Sequence, residues 1–324
     1  MNKIKSLIGI GGALVCALAL SAAPSCAQSW PTRTVRFLLP LGPGAGVDIG
    51  SRLFADRLSA KWGQPVVVEN RPGGDGVVAI STFVNARDDH VLLSSPTSSF
   101  TAHPYLHDNL PYKPSDLQPI ARVSNTIITV SVPASMPVSS LKELVAMVRS
   151  QPGKLNWAGL TGALDFLFAG WLKSEGLDAP KVPYRNPVEA ANDVAEGRVQ
   201  IYEAAYAIVR PQVEAGKIKV LAVTNTVRTP AAPNVPTVTE AGFPKLTLDG
   251  LVGLFGPPEL PKEIRERIAA DVKAVSNDPI IQDRLTSTGQ VMNIGGPAAF
   301  AESIADQRAK IAEAAKALGI VAKQ

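Results

Sequence analysis

The stretch Leu39-Pro40-Leu41-Gly42-Pro43-Gly44-Ala45-Gly46-Val47-Asp48 decides how the rest of the chain is read. Just before it, Thr34-Val35-Arg36-Phe37-Leu38-Leu39 is β-branched and apolar, and predicts a strand. Just after it, Ile49, Leu53, Leu58 and Trp62 recur at helical spacing, with Asp48 suited to the N-cap. A strand, a glycine turn and a helix in that order open an α/β unit. Free N–H groups and the positive dipole end of such a helix make a seat for an anion. The turn has a second reading, in which the glycines only let the chain bend.

Glu69 ends the next strand at about the distance of a ribose-binding acid, which brings a dinucleotide fold to mind. The glycines do not complete that fingerprint, because Val47 or Ile49 stands where the third belongs. Asp48 would also set negative charge beside a pyrophosphate. A carboxylate suits the turn better.

Further along, Val66-Val67-Val68 and Val91-Leu92-Leu93 predict a second and a third strand. Short apolar runs separated by helices are the pattern of a buried parallel sheet. The alternation restarts after Val132-Pro133, with a helix marked by Leu141, Leu144, Val145 and Val148. Strands are expected at Leu155-Asn156-Trp157, around Val182, at Val199-Gln200-Ile201-Tyr202 and at Lys219-Val220-Leu221-Ala222-Val223. A Pro-rich connection from Thr229 to Pro236 precedes a late strand, Leu251 to Phe255, and a terminal helix striped by Phe300, Ile304, Ile311 and Leu318. Two α/β lobes follow: residues 28–127, residues 128–225, and a return of 226–324 to the first. Ile127–Val132 and Lys219–Thr224 are the expected crossings.

Lys3 and Lys5, the apolar run from Leu7 to Ala23 and the small residues Ser25-Cys26-Ala27 read as a secretory signal, residues 1–27, cleaved near Ala27. Cys16 and Cys26 both lie inside it, so the exported chain has no disulfide and no thiolate chemistry. Losing Lys3 and Lys5 takes the net charge of +4 to +2, and the remaining basic residues form no stripe suited to nucleic acid. His103 and His107 have the spacing of a zinc pair, but Pro104 follows the first and no third ligand is evident. No Gly-x-Ser-x-Gly elbow is present. Neither a metal nor a cofactor is expected.

Two other loops suit a small polar ligand. Ser94-Ser95-Pro96-Thr97-Ser98-Ser99 follows the third strand, at the edge where open α/β sheets bind ligands. It reads equally well as a solvated turn. Trp157-Ala158-Gly159-Leu160-Thr161-Gly162-Ala163 is the corresponding turn of the second lobe. Two helix N-termini facing each other would hold an anion between them.

The chain resembles the Bug-type extracytoplasmic solute receptors that serve tripartite tricarboxylate transporters. The resemblance runs from Trp30-Pro31 to Leu318-Gly319-Ile320. Its most specific parts are Pro40-Leu41-Gly42-Pro43-Gly44 with Asp48, and Gly63-Gln64-Pro65-Val66-Val67-Val68-Glu69-Asn70-Arg71-Pro72-Gly73. Val182-Pro183-Tyr184, Ala215-Gly216-Lys217 and Val235-Pro236-Thr237-Val238 add to it. The resemblance implies a two-lobed periplasmic binding-protein fold of type II, each lobe a sheet flanked by helices, with a ligand cleft between them. It implies that Gly42, Pro43, Gly44, Ala45, Gly46 and Asp48 grip a small carboxylate, largely through amides and water. Ser95, Thr97 and Ser98, then Thr161, Gly162 and Asp165, then Glu203, Ala204 and Tyr206 would complete the site. The implied partners are the membrane subunits of the transporter, and a monomer is expected.

The second-lobe loops depart from the family pattern. Ala158-Gly159 and Ala163-Leu164 replace Gly-Ser and Gly-Thr types of turn, and Leu167 replaces a common His. Gln200 and Glu203 stand for a common Asp and Phe, and Asn186-Pro187 for a glycine turn. Leu160, Leu164 and Phe166 make this region apolar, which suits an aromatic acid or a longer dicarboxylate. Arg185 is placed to pair with a second carboxylate, and Tyr206 to stack on a ring or donate a hydrogen bond. Two other functions share these loops: an α/β enzyme acting on a small acid, and a ligand-sensing receptor for a sensor kinase.

Overall fold

A computed structural model describes residues 30–159, 162–184 and 186–323. The expected signal segment, Leu160, Thr161 and Arg185 lie outside the described residues. Through the first lobe the chain runs β1 (Val35–Leu39), α1 (Gly46–Trp62), β2 (Val66–Asn70), α2 (Val77–Ala86), β3 (Val91–Pro96), α3 (His103–Leu106) and β4 (Gln118–Thr126). The second stretch is β5 (Ile128–Pro133), α4 (Leu141–Ser150), β6 (Trp157–Gly159), α5 (Ala163–Ser174), α6 (Pro187–Ala195), β7 (Ile201–Ala205), α7 (Tyr206–Glu214) and β8 (Ile218–Val223). It ends with β9 (Gly250–Gly256), α8 (Lys262–Val275), α9 (Pro279–Ser287), β10 (Gln290–Gly295) and α10 (Pro297–Leu318).

The strands form two sheets, ordered β10-β4-β9-β3-β1-β2 and β6-β7-β5-β8. Only part of the first sheet is parallel, where β1 lies between β2 and β3. The late strand β9 enters antiparallel between β3 and β4, and β10 pairs antiparallel with β4. In the second sheet β6 and β7 are parallel, while β5 runs antiparallel to both β7 and β8. A purely parallel sheet is therefore corrected to a mixed one. A strand buried on both faces is apolar throughout whichever way its neighbour runs, so the sequence pattern does not report direction. The strand expected around Val182 reduces to one bridge between Lys181 and Trp157.

Residues from Arg33 onward form one body in which each sheet carries its own core. Beside the first sheet, Phe255 packs edge-on to Phe100 at 5.4 Å between ring centroids and lies 5.0 Å from Phe300 of α10. Gly253 makes that contact possible. A Cβ there would stand 2.4 Å from both the Phe300 ring and the Ala121 carbonyl oxygen. Gly253→Ala is expected to cost about 1–3 kcal/mol through forced repacking, read as a lower urea midpoint at unchanged slope.

The second core is aromatic too. Trp157, Phe168 and Trp171 follow one another at 4.9 and 5.3 Å, and the far half of α10 joins them through Ile311, Ala314 and Ala315. A Cβ on Gly170 would come within 2.6 Å of the Ala314 Cβ, so α5 and α10 meet almost backbone to backbone. The terminal helix thus packs on both cores, Phe300 and Ile304 on the first and Ile311 on the second.

The two crossings between sheets differ in length, and both ends of the second, residues 224–249, are tied to the first. Ile127 alone separates β4 from β5. Its N–H donates to the Gly289 carbonyl at 2.9 Å, and its carbonyl accepts from the Tyr206 N–H at 2.8 Å. Asn225, just after β8, clamps this crossing. Its side-chain oxygen accepts from the Ile128 N–H at 3.0 Å, and its amide donates to the Thr126 carbonyl at 3.0 Å and to Asp249 at 3.3 Å. Asp249, just before β9, also accepts from the Thr226 N–H at 3.1 Å. Crossings tied together in this way suit a hinge between two lobes.

Candidate functional site

The carboxyl ends of β1 and β3 open onto a cavity of about 460 Å³. Its first wall carries Leu41, Ala45, Gly46 and Val47, with Asp75, Gly76, Ser98 and Ser99 alongside. Leu164, Ala205, Ala207 and Ile208 of the other sheet's helices and loops form the facing wall. The volume suits a small molecule, and open α/β sheets bind at this edge. A larger groove of about 630 Å³ runs between α5 and α10, past Trp171 and Ala314. It draws on none of the strand-end loops, so the cleft between the sheets is the better candidate.

Helix α1 begins at this cavity with Ala45 as its N-cap, and no side chain caps it. The first intrahelical bond is from the Ile49 N–H to the Ala45 carbonyl at 3.0 Å. The N–H groups of Gly46, Val47 and Asp48 therefore have no acceptor within the helix. They carry the positive end of its dipole, beside the first wall of the cavity.

Asp48 fixes the turn from beneath and is only 2% exposed. It accepts from the Gly44 N–H at 2.9 Å and the Asn70 amide at 2.9 Å, and pairs with Arg52 at 3.0 Å. Asn70 donates also to the Leu41 carbonyl at 2.8 Å, closing the network under the loop. Burial pushes the Asp48 carboxyl up, but hydrogen bonds from Arg52, Asn70 and Gly44 outweigh it and hold its pKa below the ordinary 3.8. A carboxyl lowered in the folded state contributes stability above its unfolded pKa and loses it as pH falls through the folded one. Asp48→Ala is expected to cost about 1–3 kcal/mol at neutral pH. Its melting temperature should also fall less than the parent's on acidification below about pH 4. Paired melting curves across that range check both effects.

The structure separates the other expected residues into groups. Ala45, Gly46 and Ser98 stand on the cavity wall. Pro43 and Gly44 are exposed on the turn, and Gly42 is half-buried. Ser95 and Thr97 are buried and donate to the Pro96 and Leu251 carbonyls, at 2.9 and 3.4 Å. Thr161 lies outside the described residues, as does Arg185. Gly162 precedes α5 at φ 74°, where an added Cβ would lie 2.6 Å from the Ser98 carbonyl oxygen. That close approach joins the two sides of the cleft.

Asp165 in the first turn of α5 pairs with Lys181 at 2.7 Å, and its other oxygen is buried without a hydrogen bond among the described residues. Burial raises its pKa, opposed by Lys181 and assisted by the charge of Asp75. Glu203 and Ala204 are buried in β7, with Glu203 in register beside Gly159 and Val130. Tyr206 packs among Ile127, Ala158, Ala190 and Val209, a cluster separate from that of Trp157 and Trp171, with its hydroxyl 3.5 Å from the Ala231 carbonyl. Glu69, the acid weighed for a ribose, forms a two-pronged pair with Arg36 at 2.6 and 2.8 Å.

Asp75 is the site residue that the sequence did not single out. In Arg71-Pro72-Gly73-Gly74-Asp75-Gly76 it reads as part of a corner, yet it lines the cavity. His103 and His107 bring ring nitrogens within 4.8 Å of its carboxylate, which supplies the third group that the zinc spacing lacked. Both nitrogens of His103 are already committed: Nε2 lies 3.0 Å from the Asp75 carbonyl oxygen and Nδ1 bonds the Tyr112 hydroxyl. A carbonyl only accepts, so Nε2 carries the proton. The pair supports the Asp75 loop.

A family profile described as the tripartite tricarboxylate transporter family receptor, TctC, matches residues 51–320. The chain belongs to this family. Curated relatives include a UPF0065 protein of Bordetella pertussis, 28% identical and covering 84% of this chain and 85% of its own. BugT of the same organism is 26% identical over 95% of this chain and 94% of its own. Among solved structures, a Rhodopseudomonas palustris protein with adipate superposes at TM-score 0.76, 27% identical, over 90% of this chain and 99% of its own. The periplasmic binding protein BugD superposes at 0.73 with 25% identity, over 90% and 99%. The chain thus has the periplasmic binding-protein fold, and its family and structural neighbours are binding proteins. The profile starts at Ser51, beyond the glycine turn.

Proposed function

We propose that this receptor captures a small organic carboxylate in the periplasm and delivers it to the membrane subunits of a tripartite tricarboxylate-type transporter. Export would remove residues 1–27 by cleavage near Ala27. The uncapped start of α1 on the wall of the inter-sheet cavity carries this reading. Ser98 adds a hydroxyl to the same wall. The solved relative with adipate supports a carboxylate ligand. Leu41, Val47, Ile128, Leu164 and Ile208 give the cavity apolar sides, which favour an aromatic ring or a longer aliphatic chain behind the carboxylate. The lobes would close about the clamped crossings at Ile127 and Asn225.

A thermal-shift panel of aliphatic and aromatic acids tests the proposal. A ligand at about a hundred times its Kd should stabilise the fold by about 2.7 kcal/mol and be recovered unchanged. Absence of a shift with every acid would contradict capture. Consumption of the stabilising acid would point to an enzyme.

A further inference from the structure

We infer that Asp75 selects the far end of the solute, rejecting a second carboxylate and favouring an amine or another hydrogen-bond donor there. The inference rests on the carboxylate reading above and narrows it to acids with one carboxylate and a donor or cation at the other end.

The backbone at Asp75 makes the first part of the case. Gly73, Gly74 and Gly76 all have positive φ, and so does Asp75, at φ 54° and ψ 32°. Glycine takes that conformation without steric cost, and Asp and Asn take it more readily than other residues with a Cβ. A fourth glycine would serve the corner better. The corner instead carries a carboxylate, at a place where it lines the cavity.

The surroundings hold Asp75 in that place. His103 is fully buried, and its Nε2–H donates to the Asp75 carbonyl oxygen at 3.0 Å. Tyr112, itself buried, bonds the other ring nitrogen. Burial raises the Tyr112 hydroxyl well above its ordinary range, with the Asp75 charge adding to the effect, so the phenol keeps its proton. This buried chain anchors the main chain and leaves the carboxylate free to face the cleft.

Nothing among the described residues satisfies that carboxylate. Among the described residues no hydrogen bond to either oxygen is formed: His103 Nε2 stands 3.7 Å away with its proton directed at the carbonyl, and a His107 ring nitrogen lies within 4.8 Å without bonding it. Lys181, across the cleft, is engaged by Asp165 at 2.7 Å. None of the described cavity-lining residues is Lys, Arg or His. Across from Asp75, its Oδ2 would lie 3.6 Å from a Cβ on Gly162, so the charge stands where the two lobes meet. A solute anion entering there meets a like charge in a partly enclosed space, while an ammonium or amide finds an acceptor already in position. Repulsion of the wrong ligand is as effective a source of specificity as attraction of the right one.

Calorimetry with matched triplets tests this. Each triplet is an ω-amino acid, the parent monocarboxylic acid and the diacid of the same length, with aminobenzoate, benzoate and phthalate as a ring-bearing set. The parent protein should bind the amino acid of the best-fitting triplet most tightly and the diacid about tenfold or more weaker. Asp75→Asn keeps the shape and suits positive φ, since Asn is enriched there, and should erase most of that ratio. Asp75→Gly, which relieves the backbone, should do the same. A diacid that binds the parent as tightly as its amino acid overturns the inference alone, as does a ratio unchanged in both variants. Failure of every acid to bind, simple monocarboxylates included, removes the carboxylate reading and this inference with it.

Discussion

Ala45→Asp is expected to raise the stability of the ligand-free receptor and to abolish capture of carboxylates. Ala45 occupies an N-cap in extended conformation, φ −61° and ψ 149°, with no side-chain bond to the helix. Asp at such a position accepts from the second or third N–H of the helix and adds about 1 kcal/mol relative to Ala. Those are the same donors that the proposal assigns to the solute, and Ala45 stands on the cavity wall. A carboxylate fixed there both occupies the seat and repels an incoming one. Affinity should fall by about a hundredfold or more, since placing like charges together costs several kcal/mol. Ala45→Ser caps without charge and should show the stability gain with a smaller loss of binding. A variant that is more stable yet binds with parental affinity would move the anion seat away from α1.

Gly162→Val should uncouple the folding of the lobes from their closure. Gly162 sits at φ 74°, and an added Cβ would stand 2.6 Å from the Ser98 carbonyl across the cleft. A valine there would hold the two sides apart. Closure contributes the second wall of the site, so affinity should drop by about tenfold to a hundredfold. Small-angle scattering should show ligand-dependent compaction in the parent and none in the variant. Parental compaction in the variant would mean that closure does not bring Gly162 and Ser98 together.

Some of this architecture is legible in the sequence and some is not, for physical reasons. The Gly42–Asp48 turn is legible because a strand, glycines and a helical period meet within ten positions, and each signal is local. The late strand at Gly250–Gly256 is legible as an apolar run, but its antiparallel entry beside β3 is not, since pairing direction leaves no trace in a doubly buried strand. Strand β4 escapes notice because Pro119, Arg122, Ser124 and Asn125 interrupt its apolar pattern, and β10 because Asn293 and Gly295 do the same. Both strands are held by their neighbours: β4 lies between β9 and β10.

The site is legible only where backbone makes it. A helix N-terminus announces itself through glycines and a following period, whereas a side chain's direction depends on packing decided elsewhere. Asp48 reads as an N-cap, yet it lies within α1 and binds the Gly44 N–H, Asn70 and Arg52, which no pattern of spacing foretells. Tyr206 reads as a partner for a ring and instead packs against Ile127, Ala158 and Val209. Asp75 reads as a corner residue. What marks it is a left-handed backbone anchored by His103 from 28 positions away, a relation that exists only in three dimensions.

The most direct measurement follows the amide resonances of the isotope-labelled protein during titration with the acid that stabilises it best. Gly46 and Val47 should show the largest perturbations, accompanied by Ser98 and by residues of the facing wall such as Ala207, all saturating at one affinity. Perturbations confined to the groove between α5 and α10, with Gly46 and Val47 unmoved at saturation, would contradict the account.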